Sequence, residues 1–88
     1  MHPRVISAEP KSGKKVLVTF SNSEQRLLDV SPFLGFGVFK ALESDTLFQK
    51  IRVNFGTLEW PGGIDLDPDF VWEKSIRVPV TSATSSAP

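Results

Sequence analysis

The chain has 88 residues, enough for one small domain and too few for two. Its ten basic and ten acidic residues cancel to a formal net charge of zero, which argues against direct nucleic-acid binding because such binding usually depends on a basic excess. The absence of cysteine excludes a disulfide framework, a thiolate nucleophile and a cysteine-based zinc site.

No part of the chain carries a long apolar run. Residues 1–4 lack the apolar stretch of a signal peptide, and no segment approaches the roughly 18 apolar residues of a membrane helix. We therefore expect a soluble, cytoplasmic protein that makes no membrane contact.

The first thirty residues predict an antiparallel meander of three strands, over residues 4–8, 14–20 and 25–30. Small and turn-forming residues punctuate the chain at residues 11–13 and 21–23, where tight turns would join the strands.

Both faces of this meander carry apolar side chains. Val16 and Val18 alternate onto one face, whereas Leu17 lies on the other, and Leu27 and Leu28 likewise point to opposite faces. A sheet that is covered on one side only should be polar on its second face. The pattern leaves two explanations open: a terminal segment that packs on the second face, or an interface with a partner or another subunit.

Helix signals follow the third strand. Ser31 is predicted to be the N-cap of a short helix with Pro32 at its first position, and Ser44 is predicted to cap a second turn. The apolar stripe between them, which should face the sheet, consists of Val38, Phe39 and Leu42.

Strand patterns return at residue 51, and strands are predicted over residues 51–55, 57–60 and 64–66. Phe55 is in phase with the apolar positions before it and, like Trp60, is predicted to lie in the core.

The last predicted helix begins at Asp67 and Pro68 and runs to about Lys74. Residues 81–88 are only Thr, Ser, Ala and Pro and have nothing to bury, so we predict one domain over residues 1–80 and a disordered tail over 81–88. Together the elements predict an α+β fold, a two-layer sandwich of a mainly antiparallel twisted sheet with short helices.

The acidic segment, residues 59–73, contains five acidic residues and no basic one. Asp65, Asp67 and Asp69 have the alternating spacing that opens a calcium-binding loop, but the glycine and glutamate that complete such a loop are missing. The favoured interpretation is that Asp67 caps the last helix and Asp69 complements its dipole. Binding of a divalent cation or a small ligand by the acidic segment therefore stays an alternative function.

No catalytic set is apparent in the sequence. The single histidine, His2, lies near the N-terminus, where it would be an unanchored base, and a domain this thin offers little depth for a cleft. Gly35 and Gly37 lack the spacing of a phosphate-binding loop. We expect no enzyme activity, no catalytic residue, no cofactor and no dedicated metal site.

Two tryptophans lie near the ends of the acidic segment. Core packing is the favoured interpretation for both Trp60 and Trp72. Because Trp is enriched at binding hot spots, Trp72 is also a candidate anchor for a partner. The candidate interaction residues in this part of the chain are Trp60, Pro61, Gly63, Asp65, Asp67 and Trp72.

Two runs of the sequence resemble a known family. They are Gly56-Thr57-Leu58-Glu59-Trp60-Pro61 and Gly63-Ile64-Asp65-Leu66-Asp67-Pro68, preceded by Val38-Phe39 after Gly37. In these runs the chain is similar to the bacterial and phage domain-of-unknown-function family 2442, and the resemblance covers about residues 4–78. Further matching positions in the front half are Phe20, Asn22, Glu24, Arg26, Asp29 and Pro32. At two turns the family often has Asn-Gly, whereas this chain has Asn22-Ser23 and Gly62-Gly63, which also suit turns.

The resemblance implies a small two-layer α+β fold and no catalytic group. It also implies relatives that occur alone or fused to a helix-turn-helix domain, some of them as halves of toxin–antitoxin-type gene pairs. We therefore predict a non-enzymatic, antitoxin-like protein-interaction module that binds a protein partner or assembles into a homo-oligomer.

Overall fold

The computed structural model describes residues 3–78, so His2 and the predicted tail over residues 81–88 lie outside the described residues. The strands in this range are β1 (Val5–Lys11), β2 (Lys15–Phe20), β3 (Gln25–Asp29), β4 (Arg52–Asn54), β5 (Thr57–Trp60), β6 (Ile64–Leu66) and β7 (Ile76–Arg77). The α-helices are α1 (Asp45–Phe48) and α2 (Pro68–Lys74), and 3₁₀ helices span Ser31–Phe33 and Gly37–Glu43. None of the helices in residues 3–78 has the length and apolar character needed to span a membrane.

The strands form two antiparallel sheets. The first sheet has the order β1-β2-β3-β7, and the second sheet has the order β4-β5-β6. The predicted meander is the first three strands of the first sheet, and the predicted α+β class is confirmed.

One hydrophobic core lies between the two sheets and the helices. Alternation along β2 and β5 decides which side chains enter it, because successive side chains in a strand point to opposite faces. The buried apolar residues of the core are Val5, Val16, Val18, Phe20, Leu28, Val30, Leu42, Phe48, Leu58, Trp60, Ile64, Leu66 and Val71.

The turn after β3 differs from its prediction. Ser31 is the first residue of the 3₁₀ helix, Val30 occupies the N-cap position, and no side chain caps this helix. Instead, the Asp29 carboxylate accepts hydrogen bonds from the Ser31 backbone N–H (3.0 Å) and from Ser31 Oγ (2.7 Å). Asp side chains readily bond the backbone two residues on, and this turn replaces the predicted cap.

The tip of the β4–β5 hairpin also differs from its prediction. Phe55 is 85% exposed, so it is not a core residue. Asn54 pairs with Thr57, which leaves Phe55 and Gly56 as a two-residue loop, and both have positive φ (52° and 76°). The loop takes Phe55 out of the strand's alternation, because a two-residue hairpin turn of this kind needs positive φ at both positions.

Both α-helices start where the sequence signals predict. The Ser44 side chain accepts a hydrogen bond from the Leu47 backbone N–H at the start of α1, and Asp67 Oδ1 accepts one from the Phe70 N–H (2.8 Å) at the start of α2. Strand β7 was not predicted, and it places Ile76 opposite Leu27 at the edge of the first sheet.

Candidate interaction surface

Trp60 lies at the centre of the core. Its side chain has no exposed area, its ring lies 6.0 Å from that of Phe48, and Nε1 donates a hydrogen bond to the Phe48 carbonyl (3.1 Å). A buried indole N–H needs such a partner, and the bond fixes β5 to the end of α1. Trp60 therefore belongs to the core, which leaves it no surface to offer a partner.

Trp72 is half-buried between α2 and the first sheet. Its ring meets Phe20 edge-on, with 4.9 Å between the centroids, and the Arg26 guanidinium lies 4.3 Å from its ring centre. Arg26 also donates hydrogen bonds to Ser75 Oγ (2.8 Å) and to Glu24 Oε2 (2.7 Å). This cluster holds α2 against β3, so Trp72 has a structural role whether or not a partner touches its exposed part.

The other four candidate residues lie in a turn, on a strand and at a helix start. Pro61 is half-buried and Gly63 is exposed in the turn between β5 and β6. Asp65 is exposed on β6, and Asp67 is exposed and occupied as the N-cap of α2. The fold therefore uses part of the predicted set for turns and caps.

The negative charge of the acidic segment is partly neutralised by β4. Glu59 accepts hydrogen bonds from Arg52 Nη2 (2.7 Å) and from Asn54 Nδ2 (3.0 Å). The Arg52 bond, with the Asn54 bond second, holds the pKa of Glu59 below its ordinary value, although burial opposes the shift. Sequence reasoning missed this partner because Arg52 lies outside the segment and reaches Glu59 only through strand pairing.

A cation site does not emerge from the acidic segment. Asp65 is the cross-strand neighbour of Glu59, whereas Asp67 is engaged with the Phe70 N–H. Among residues 3–78, no group of three or more His, Cys, Asp or Glu side chains is placed to hold a metal ion.

The outer face is the side of the first sheet that points away from the core. The strand register places the following residues on it: Ser7, Glu9, Lys11, Lys15, Leu17, Thr19, Gln25, Leu27, Asp29 and Ile76. None of these residues is buried. The opposite face of the same strands is fully buried at Val16, Val18 and Leu28.

The centre of the outer face is an apolar row that crosses three strands. Leu17 pairs with Leu27, and Leu27 pairs with Ile76. Ile76 is 72% exposed, and both leucines are half-buried and lie outside the core cluster of the described residues. The sequence indicated that Leu17 and one residue of the Leu27–Leu28 pair lie on the second face, but it did not say which one and gave no sign that Ile76 joins them.

Polar and charged side chains border the apolar row. Thr19 and Gln25 are cross-strand neighbours on one side of it, with the Gln25 amide donating to Thr19 Oγ1 (3.2 Å). On the other side Lys15 is the cross-strand neighbour of Asp29. The Ser31 hydroxyl is the main reason that the pKa of Asp29 lies below its ordinary value, and the charge of Lys15 lowers it further.

The charges of the outer face balance. Lys11 forms an ion pair with Glu9 (3.1 Å) at the edge, and Lys15 lies beside Asp29. Two basic and two acidic residues leave the face without net charge. It is therefore a neutral surface with an apolar centre and a polar border.

Four other large apolar side chains are exposed among the described residues, and one of them, Ile6, lies on β1 of the first sheet. They are Ile6, Phe36, Val38 and Phe55. Phe36 and Val38 lie at the start of the second 3₁₀ helix, and Phe55 lies at the hairpin tip, so these residues belong to separate elements.

A family model described as "Protein of unknown function (DUF2442)" matches residues 5–77. No curated protein and no solved structure shows significant similarity to the chain. The match spans every strand described above and leaves out only residues 3, 4 and 78 of the described range.

Proposed function

The chain belongs to the DUF2442 family of proteins of unknown function, and we propose that this member is a non-enzymatic, antitoxin-like module that binds a protein partner through its outer face. The observation that carries the proposal is the apolar row on the outer face, formed by the half-buried Leu17 and Leu27 and the exposed Ile76. Solvated sheet faces are normally polar, and a contiguous apolar patch with a polar border is typical of an interaction site.

The composition of the outer face suits a reversible complex. Interfaces of this kind have an apolar centre and a polar rim, as the row and its border do. Complete burial of a Leu or Ile side chain is worth about 1.5–3 kcal/mol, and two of the three are already half-buried. The row alone therefore supports a modest affinity, to which the partner's polar contacts would add.

The non-enzymatic part of the proposal is supported by the roles of the carboxylates in the acidic segment. Glu59 is bound by Arg52 and Asn54, and Asp67 caps α2. A general acid or base needs a free lone pair or proton directed at a substrate, and these two groups direct theirs at the fold. The cation-binding alternative gains no support from this arrangement.

The test is affinity capture of the tagged protein from its native cell. The wild-type chain should retain a stoichiometric protein partner, and Leu27→Lys should lose it because the change places a charge in the centre of the row. Val38→Ser is the matched control, since it removes an exposed apolar side chain from a different element. Far-UV circular dichroism checks that each variant folds.

Two results would contradict the proposed function. One is the absence of any stoichiometric partner together with a pure protein that stays strictly monomeric. The other is a folded Leu27→Lys variant that captures the same partner as the wild type. The identity of the adjacent gene gives an independent check, because an antitoxin-like protein should have a small co-transcribed partner.

A further inference from the structure

We infer that the outer face also binds the outer face of a second copy of this chain, about a two-fold axis that runs parallel to the strands between β2 and β3. The inference rests on the proposed function, because it requires the outer face to be a protein-binding surface. It goes further by naming one occupant and the residues that would meet.

A two-fold interface requires a self-complementary surface, because the same patch must face itself. The β2 and β3 residues of the outer face form three cross-strand pairs: Lys15 with Asp29, Leu17 with Leu27, and Thr19 with Gln25. Each pair joins two groups that attract each other: a cation with an anion, an apolar group with an apolar group, and a hydroxyl with an amide.

The proposed axis places β2 of one copy over β3 of the other. Lys15 then faces Asp29 of the second copy, Leu17 faces its Leu27, and Thr19 faces its Gln25. Each contact occurs twice, so the two leucine pairs form a central apolar layer between two sets of polar contacts. Packed sheets lie about 10 Å apart with strands about 30° from parallel, a distance that Leu pairs and a Lys–Asp pair can bridge.

The outer strands are compatible with the same arrangement. The axis places β1 over β7 of the second copy, where Ile76 would meet the Glu9–Lys11 ion pair. The aliphatic parts of those two side chains can cover an apolar neighbour while their charges stay in water. Like charges do not face each other across the centre.

Charge balance favours a second copy over a strongly charged partner. The outer face has two basic and two acidic residues, and the whole chain has a formal net charge of zero. A surface without net charge gives a highly basic or acidic protein nothing to complement, whereas two neutral copies can approach without repulsion.

The size of the face predicts a weak dimer. Three strands of about five residues and the two residues of β7, at about 3.3 Å per residue and about 4.8 Å between strands, cover roughly 270 Å² per copy. A stable interface buries about 800 Å² per partner, so we expect association to be weak. The monomer would then present the same surface to another partner at low concentration.

The test uses charge reversal across the proposed axis, read by sedimentation equilibrium from about 10 μM to 1 mM. Lys15→Glu should weaken dimerisation at least tenfold because two carboxylates would face each other, and Asp29→Lys should weaken it because two amines would. An equimolar mixture of the two variants should regain the dimer, since each variant then meets the opposite charge. Lys40→Glu, a reversal on the second 3₁₀ helix, should leave the dimer unchanged.

Asp29→Lys also removes the acceptor of the Ser31 hydrogen bonds and could unfold the turn, so the test includes a second variant that leaves this turn unchanged. Leu17→Lys should abolish the dimer without touching that turn. Circular dichroism confirms folding for each variant, and the Lys15→Glu and Leu17→Lys results decide the matter if Asp29→Lys is unfolded.

The outcomes separate this inference from the proposed function. A wild-type chain that is monomeric at 1 mM, or a dimer that Lys15→Glu and Leu17→Lys leave intact, overturns the inference. If the wild type then still captures a partner that Leu27→Lys loses, the proposed function stands. A dimer that behaves as expected, with no other protein captured, supports the inference and gives the antitoxin-like function no support.

Discussion

At the residue scale, Phe55 occupies a backbone conformation that asparagine would tolerate better. Its φ of 52° lies in the left-handed region, and its ring is 85% exposed. Because Asn-Gly is the preferred sequence for such a two-residue hairpin turn, we expect Phe55→Asn to raise the free energy of unfolding by about 1 kcal/mol. Urea denaturation followed by circular dichroism measures the change.

Gly56→Ala, at the second position of the same turn, should change stability in the opposite direction. An added Cβ would lie 2.8 Å from Arg4 Nε, and the φ of 76° is strained for any residue with a Cβ. We expect Gly56→Ala to lower the free energy of unfolding by at least about 1 kcal/mol. A Phe55→Asn variant that is less stable than the wild type would show that the Phe55 ring stabilises the hairpin by contacts that outweigh its strain.

Asp29 gives a pH-dependent prediction at the same scale. The Ser31 hydroxyl is the main cause that lowers its pKa below the ordinary 3.8 in the folded chain. A carboxylate with a lowered folded pKa stabilises the fold above its unfolded pKa, and this contribution disappears as the pH falls through the folded value. Ser31→Ala should therefore raise the pKa of Asp29. The variant should be less stable than the wild type at pH 6, and this difference in the free energy of unfolding should shrink below pH 3.8.

The measurement for Asp29 is a carboxyl titration by NMR together with urea denaturation at both ends of the pH range. Ser12→Ala, in the exposed turn between β1 and β2, is the control and should leave the titration of Asp29 unchanged. An Asp29 midpoint that is the same in Ser31→Ala and in the wild type would disprove the role assigned to the hydroxyl.

At the element scale, α2 depends on its N-cap. Asp67 Oδ1 accepts the Phe70 N–H at 2.8 Å, and the packing of α2 against β3 places Trp72 over Arg26. We expect Asp67→Ala to lower the free energy of unfolding by about 1 kcal/mol, in buffer with chelator as well as in buffer with calcium. Asp65→Ala, which alters an exposed residue of β6, should lower the free energy of unfolding by less than half as much.

That comparison also separates capping from cation binding. If Asp67 acted mainly as a metal ligand, the effect of Asp67→Ala would appear only when the divalent cation is present, and Asp65→Ala would show a similar effect. Thermal denaturation with and without calcium distinguishes the two cases.

Local signals predicted most of the elements. Asp67 followed by Pro68 predicted the start of α2, and alternation along β2 and β5 placed Val16 and Trp60 in the core. Strand β7 escaped prediction because it has two residues, and only pairing with β3 makes it a strand. The side chain of Phe55 was misplaced because a period of two cannot be extended across a hairpin turn.

At the scale of the whole molecule, the candidate surface depends on topology more than on local pattern. The sequence showed apolar residues on both faces of the meander, and it left open whether Leu27 or Leu28 shares the face of Leu17 and what lies over that face. Ile76 lies beside Leu27 because the chain returns to the first sheet after α2, and the pattern of apolar residues in the sequence does not predict this pairing. The neutralising contact of Arg52 with Glu59 likewise depends on strand pairing, so the sequence made the acidic segment look more charged than it is.

The stability of the domain should depend on the chain up to β7 and not on residues 81–88. Within the described residues, the last tertiary contact along the chain is the hydrogen bond from the Val78 N–H to the Gln25 carbonyl (3.0 Å). Residues 81–88 are only Thr, Ser, Ala and Pro, so we expect a chain that ends at Val80 to unfold with the same free energy as the full chain, within about 0.5 kcal/mol. Ending the chain at Ser75 removes β7 with its pairing to β3, and it should cost about 1–3 kcal/mol.

Urea denaturation of the two truncated chains beside the full chain measures both effects, and a stability loss on ending the chain at Val80 would show that the predicted tail contributes to the fold. The chain that ends at Ser75 also lacks Ile76 on the outer face, whereas the chain that ends at Val80 keeps the row intact. The chain that ends at Val80 should therefore dimerise and capture its partner like the full chain. If both activities instead disappear with residues 81–88, the partner surface includes the end of the chain and the row of Leu17, Leu27 and Ile76 is not sufficient for it.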